Sequence, residues 1–155
     1  MGDYTFQIED FEAAYEEYVA LSRMHFCEIE DYRTSLGLPE RAFDLDLACY
    51  VPHARIGQLI AYTARCNGDP VGYLLVYLTR DHRSGAIYAI EDCLFVHPDH
   101  RTGVGRKLIE FAVRDLSDKP NVERFEVTAA GDPRFAKALS RMGFVQSAIQ
   151  MTYAL

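Results

Sequence analysis

The sequence predicts one mixed α/β domain over residues 1–155, an α+β arrangement of a single mixed sheet with helices on both faces. Three observations carry this expectation. Apolar residues recur at helical spacing through most of the first third. Three β-rich runs then follow one another between residues 59 and 96, separated only by short polar turns. After them a helical pattern, a strand pattern, a short helical pattern and a final β-rich run alternate. The element order is therefore β-α-α-β-β-β-α-β-α-β.

Residues 4–8 alternate and form the first strand. Asp10 can cap the helix that follows, in which Phe11, Ala14, Tyr15, Tyr18, Val19 and Ser22 share a face; the pattern runs to about Tyr32. Leu36-Gly37-Leu38-Pro39 is a turn. Residues 40–55 read as a short helix or loop closed by Pro52. Residues 59–66 and 71–79 form a hairpin with Asn67-Gly68 at its tip, and residues 86–96 extend it to an antiparallel meander. Val104, Leu108, Ile109, Ala112, Val113 and Leu116 then mark one face of a helix. Residues 122–129 are a strand. Asp132 or Pro133 opens a helix carrying Phe135, Ala138, Leu139 and Met142, which Gly143 stops. Residues 144–155 supply the last one or two strands.

Hydrophobic residues make up 49% of the chain and charged residues 25%, ordinary values for a globular protein. No apolar stretch approaches the roughly 20 residues that span a bilayer, so no membrane association is expected. The acidic start (Asp3, Glu9, Asp10) is unlike a secretory signal, and the four cysteines form no C-x-x-C pair. A reducing, cytoplasmic setting fits both features. His97 and His100 lack a third ligand, so no metal is expected. The net charge of −7 disfavours nucleic acid. That charge is uneven: residues 1–48 hold twelve carboxylates against three basic side chains, while the remainder is slightly basic. The acidic third is either a solvated pair of helices or an attractant for a cationic substrate.

The most informative segment runs from Val96 to Leu108, reading V-H-P-D-H-R-T-G-V-G-R-K-L. It joins an apolar strand to a helix through a turn with two glycines and flanking arginines, which aims N–H groups at one point and suits a phosphate. Arg106 and Lys107 open the helix while Asp115 and Asp118 lie near its end, the reverse of the dipole's preference. An anionic ligand would offset that. No Walker A string exists, and a Rossmann fingerprint fails where it would need a small residue in place of Leu108.

In context, these residues resemble the GNAT superfamily of acetyl-CoA-dependent N-acetyltransferases. Val96-His97-Pro98 followed by Arg101-Thr102-Gly103-Val104-Gly105 is similar to that family's V-x-P strand end and glycine-rich turn, and Arg141-Met142-Gly143-Phe144 to its G-F helix end. The turn is one residue shorter than usual, and the tyrosine common four residues before the G-F glycine is replaced by Leu139. The resemblance implies a largely antiparallel central sheet splayed between the fourth and fifth strands. Acetyl-CoA, as cosubstrate, would lie in that gap. Leu94, Phe95 and Val96 would pair with pantetheine, a backbone N–H near Phe95 would polarise the thioester, and Arg101, Thr102, Gly103, Val104, Gly105 and Arg106 would hold the pyrophosphate.

Glu91 and Asp92 interrupt the apolar strand and are the candidates for the catalytic base; strand alternation sends them to opposite faces. Tyr153 is a distant candidate for the acid that protonates the thiolate. The acceptor implied is a primary amine of a small molecule or peptide. The first two helices, with Glu12, Glu16, Glu17, Glu28, Glu30 and Asp31, make a cationic one the natural choice. Loss of the tyrosine also fits an acyl-CoA-binding module with little or no catalysis. Dimers are common in the family, and an exposed final strand offers one route to a homodimer.

Overall fold

The computed structural model describes residues 2–130 and 132–153. Strand β1 (Tyr4–Glu9) leads into helix α1 (Phe11–Ser35), 25 residues long and unbroken. Asp10 starts it as expected, its carboxylate accepting the Ala13 N–H at 3.1 Å. Helix α2 (Leu47–Arg55) resolves the ambiguous stretch, with Asp46 as its cap. Pro52 does not close this helix, as the sequence reading had it; it sits inside. The missing N–H removes one intrahelical bond, and packing of Leu47, Tyr50, Val51 and Ala54 on the sheet holds the helix through that gap.

Strands β2 (Leu59–Cys66), β3 (Asp69–Arg80) and β4 (Ile87–Val96) form the meander, with Asn67 and Gly68 both at positive φ in the two-residue turn. A single 3-10 turn, Pro98–His100, leads to helix α3 (Val104–Ser117). Strand β5 (Val122–Glu126) and helix α4 (Pro133–Arg141) follow, α4 capped by Asp132. The sheet order is β1-β2-β3-β4-β5, antiparallel throughout except for β4 and β5, which are parallel.

One expected element is missing. Residues 144–153 form no strand, and Val145, Ile149, Met151 and Tyr153 stand exposed. Their alternation has strand character, but a strand exists only where a partner edge supplies the ladder. Residues 154 and 155 lie outside the described residues. Strand β5 is also shorter than the expected 122–129.

Two cores cover the two sheet faces. On one, α3 and Leu139 of α4 pack on Tyr62, Leu74, Val76 and Ala89; on the other, Phe11, Ala14, Tyr18 and Leu21 of α1 pack on Leu59, Ala61, Tyr73, Leu75 and Phe95. Near the β1 edge the second face is tied by a buried polar network. Arg65 donates to Glu9 (Nε–Oε1 2.6 Å) and Glu17 (2.7 Å), and the Tyr18 hydroxyl joins Glu9 to Thr63. Burial alone would raise the Glu9 pKa, but Arg65, Tyr18 and Gln7 outweigh it and hold the carboxyl below its usual range. Arg65→Met strands that carboxylate, and we expect a loss of about 3–5 kcal/mol in chemical denaturation at pH 7. A depressed carboxylate stabilises above its unfolded pKa and loses that contribution as pH falls through the folded one, so the variant's deficit shrinks in acid.

Candidate active site

The parallel ladder between β4 and β5 runs only from Ile87 opposite Val122 to Ile90 opposite Glu126. Beyond it the strands part, giving the splay expected between the fourth and fifth strands. At the same point β4 bulges: Val76 faces Glu91 and Leu75 faces Cys93, leaving Asp92 as the extra residue. The bulge shifts the alternation, so Ala89 packs on the α3 side, and so do Leu94 and Val96, while Cys93 and Phe95 pack on the α1 side.

Glu91 and Asp92 do part company, as alternation requires. The Glu91 carboxylate reaches across the fork and accepts the Thr128 N–H at 3.1 Å. Burial raises its pKa above the usual carboxylate value, with the nearby Asp92 charge adding to the effect; the N–H groups of Thr128 and Leu94 oppose it. Asp92 points to the helical side of α1 and α2, where the Tyr50 hydroxyl donates to it at 2.7 Å.

Beyond the bulge, the backbone divides its polar groups between β3 and the gap. His97 donates to Val71 O at 2.8 Å, so alternation turns the N–H and C=O of Phe95 towards β3 as well. The groups facing the gap belong to Leu94 and Val96. The N–H groups near Phe95 that face the gap are therefore those of Leu94 and Val96. Phe95 contributes its ring, which stacks on His25 (5.0 Å between centroids, 22° between planes). His25 also bonds the Tyr73 hydroxyl at 2.9 Å, and burial lowers its pKa, leaving the ring neutral at pH 7.

The glycine turn follows directly. Gly103 caps α3 at φ +93°, a conformation that excludes most side chains. The first bond into the helix runs from Lys107 N–H to Gly103 O, and Gly103 N–H donates to Arg101 O. Among the described residues, the N–H groups of Thr102, Val104, Gly105 and Arg106 meet no acceptor. A Cβ on Gly105 would touch only the Val96 methyl, at an ordinary 3.6 Å. The fold thus places no demand for glycine there, so a demand would have to come from a group approaching from outside.

Both arginines have partners within the chain. Arg101 folds back: Nε donates to Val96 O at 2.9 Å, Nη2 to Glu28 at 2.6 Å, and the guanidinium lies 5.4 Å from the Phe95 ring centre. Arg106 pairs with Glu110 one turn along α3. The reversed helix charge also has a partly internal explanation, because Asp115 accepts the Tyr62 hydroxyl at 2.6 Å and pairs with Lys119. The acidic α1 is likewise mostly paired: Glu12 with Arg55, Glu17 with Arg65, Glu28 with Arg101, and Glu30 with Arg41 and Arg33. It is a set of local ion pairs, not a broad field for cations. Leu139 is 5% exposed and sits in the core, and Tyr153 stands exposed on the tail.

The chain matches the model of the acetyltransferase (GNAT) family over residues 12–144. It belongs to the GNAT family. Solved structures share the GNAT fold across the whole chain. A ribosomal-protein-alanine N-acetyltransferase from Brucella melitensis biovar Abortus 2308 has a TM-score of 0.67 at 18% identity, covering 99% of this chain and 97% of that one. An aminoglycoside acetyltransferase from an uncultured soil metagenomic sample has a TM-score of 0.66 at 21% identity, covering 99% of each. A predicted acetyltransferase with acetyl-CoA from Clostridium acetobutylicum has a TM-score of 0.70 at 11% identity, covering 97% and 96%. No curated protein sequence matches the chain. Of the groups around the fork, the sequence pointed to Glu91, Asp92 and the glycine turn. It did not point to Tyr50, Tyr77, His25 or Tyr73, whose hydrogen-bond partners are 28 or more positions away in the chain.

Proposed function

We propose that this protein is an N-acetyltransferase that moves the acetyl group of acetyl-CoA to a primary amine by direct attack. The observation that carries the reading is the continuity of three features along one strand. The fork opens at Ile90, gap-facing backbone groups follow at Leu94 and Val96, and the open N–H groups of Thr102 and Val104–Arg106 end the run. Pantetheine would lie along Leu94, Phe95 and Val96, with its hydrogen bonds at the first and last of these, and the pyrophosphate would take the N–H groups at the start of α3. Arg101 and Arg106 can add charge by exchanging exposed carboxylate partners, contacts worth at most about 1 kcal/mol each.

In the reaction, the amine nitrogen bonds the thioester carbon, the C–S bond breaks, and the proton that the nitrogen sheds on becoming an amide passes through water to the CoA thiolate. The ammonium must first lose a proton, and Glu91 is the base. Its carboxylate stands half-buried in the fork and its raised pKa makes it the better proton acceptor. A gap-facing N–H near Phe95 stabilises the developing oxyanion. Asp92, on the opposite face, holds the incoming ammonium. Thiol release from acetyl-CoA in the presence of an amine panel tests the reading. Amine-dependent release is expected; acetyl-CoA binding with release at background across the panel would make the protein an acyl-CoA-binding module instead.

A further inference from the structure

Resting on that reading, we infer that Arg101 determines which acyl donor the protein accepts. Its side chain bars the pantetheine path until a diphosphate draws it away, so acetyl-CoA enters and acyl thioesters without a diphosphate are refused. Three points fix the side chain. Its backbone stands one residue before Thr102, whose N–H meets no acceptor among the described residues. Its Nε donates to Val96 O at 2.9 Å, and its Nη2 donates to Glu28 of α1 at 2.6 Å. The guanidinium also lies 5.4 Å from the Phe95 ring centre. A side chain tied at those points runs across Val96. The Val96 carbonyl faces the gap, and it is the oxygen that the last pantetheine hydrogen bond requires. A ligand extending from the N–H groups at the start of α3 towards Leu94 must pass the same residue.

Charge decides which ligand can move the arginine. The Arg101 and Glu28 side chains are 47% and 48% exposed, so water screens the pair and separating it costs little. A diphosphate beside the turn offers the guanidinium charge-assisted, two-pronged bonds, stronger than those to an exposed carboxylate and a neutral carbonyl. A pantetheine thioester without phosphate offers no such exchange. It must displace Nε from Val96 O and gives the guanidinium nothing in return. Arg101 therefore acts for one donor and against the other, which is how a single side chain generates selectivity. Glu28 holds the bar in place. It lies one turn along α1 from His25, whose ring stacks on Phe95 at 5.0 Å, so the closed position is anchored where α1 packs against β4.

The test compares dissociation constants for acetyl-CoA and S-acetylpantetheine, by titration calorimetry, in the wild type, Arg101→Ala and Glu28→Gln. Both side chains are half exposed, so neither substitution endangers the fold. Arg101→Ala should move the two ligands in opposite directions. Acetyl-CoA should weaken about tenfold with the loss of a charge-assisted contact to phosphate, and S-acetylpantetheine should tighten about tenfold as the bar is removed. Glu28→Gln releases the arginine without deleting it, so both ligands should tighten by about two- to fivefold, the scale of an exposed ion pair. If Arg101→Ala binds S-acetylpantetheine no better than wild type, or Glu28→Gln binds acetyl-CoA more weakly, the inference is overturned. Acetyl-CoA binding by the wild type would then leave the transferase reading standing. Failure of the wild type to bind acetyl-CoA overturns that reading, and the inference with it.

Discussion

Glu91→Gln should lower kcat by about 100- to 10,000-fold while acetyl-CoA affinity stays within about twofold of wild type. Glutamine keeps an oxygen for the Thr128 N–H, which the carboxylate now accepts at 3.1 Å, so the fork should hold its shape and the loss isolates the proton transfer. The pH profile supplies a second readout. A base works only when deprotonated, so wild-type kcat/KM falls as pH drops through the raised Glu91 pKa, above the usual carboxylate range of about 4.3. The variant should lack that limb. Stability moves the opposite way. A raised folded pKa stabilises below the unfolded value and that contribution is lost as pH rises through the folded one, and the variant should not show this decline. A variant with wild-type kcat would remove Glu91 from the chemistry and leave it as a brace across the fork.

Gly105→Val should weaken acetyl-CoA binding by about 100-fold or more, the cost of losing two charge-assisted hydrogen bonds to phosphate, with the melting temperature held. The separation of binding from stability follows from geometry. The nearest atom to a Cβ at this position is a Val96 methyl at 3.6 Å, an ordinary contact, so the first carbon of a side chain is accommodated by the protein. Gly103 is the poorer probe, because φ +93° strains a β-branched residue and confounds folding with binding. If Gly105→Val melts as wild type and binds as wild type, the turn is not the phosphate site.

The fold was legible because its signals are local. The Asn67-Gly68 turn, the Asp10 and Asp132 caps and the amphipathic face of α3 each operate within a few residues, and each forms where expected. Two of the departures from expectation have physical causes. Pro52 ended α2 on paper because a proline costs a bond, yet tertiary packing of the helix on the sheet outweighed that cost. Residues 144–153 have the alternation of a strand, which is necessary for pairing but does not create a partner.

The site was legible at its backbone and opaque at its side chains. Glycine spacing and the V-x-P strand end mark the turn, since backbone conformation constrains residue type there. The Asp92 bulge, by contrast, depends on register with β3, and the Tyr50–Asp92 bond closes across 42 positions. The partners of Arg101 and of the α1 carboxylates are likewise brought together only in the folded chain.

Titration calorimetry of acetyl-CoA, ATP and NAD into the wild-type protein, with Gly105→Val alongside, tests the central claim most directly. The expected result is saturable acetyl-CoA binding that the substitution abolishes, with neither ATP nor NAD bound comparably. Tight ATP or NAD binding without acetyl-CoA binding would contradict it.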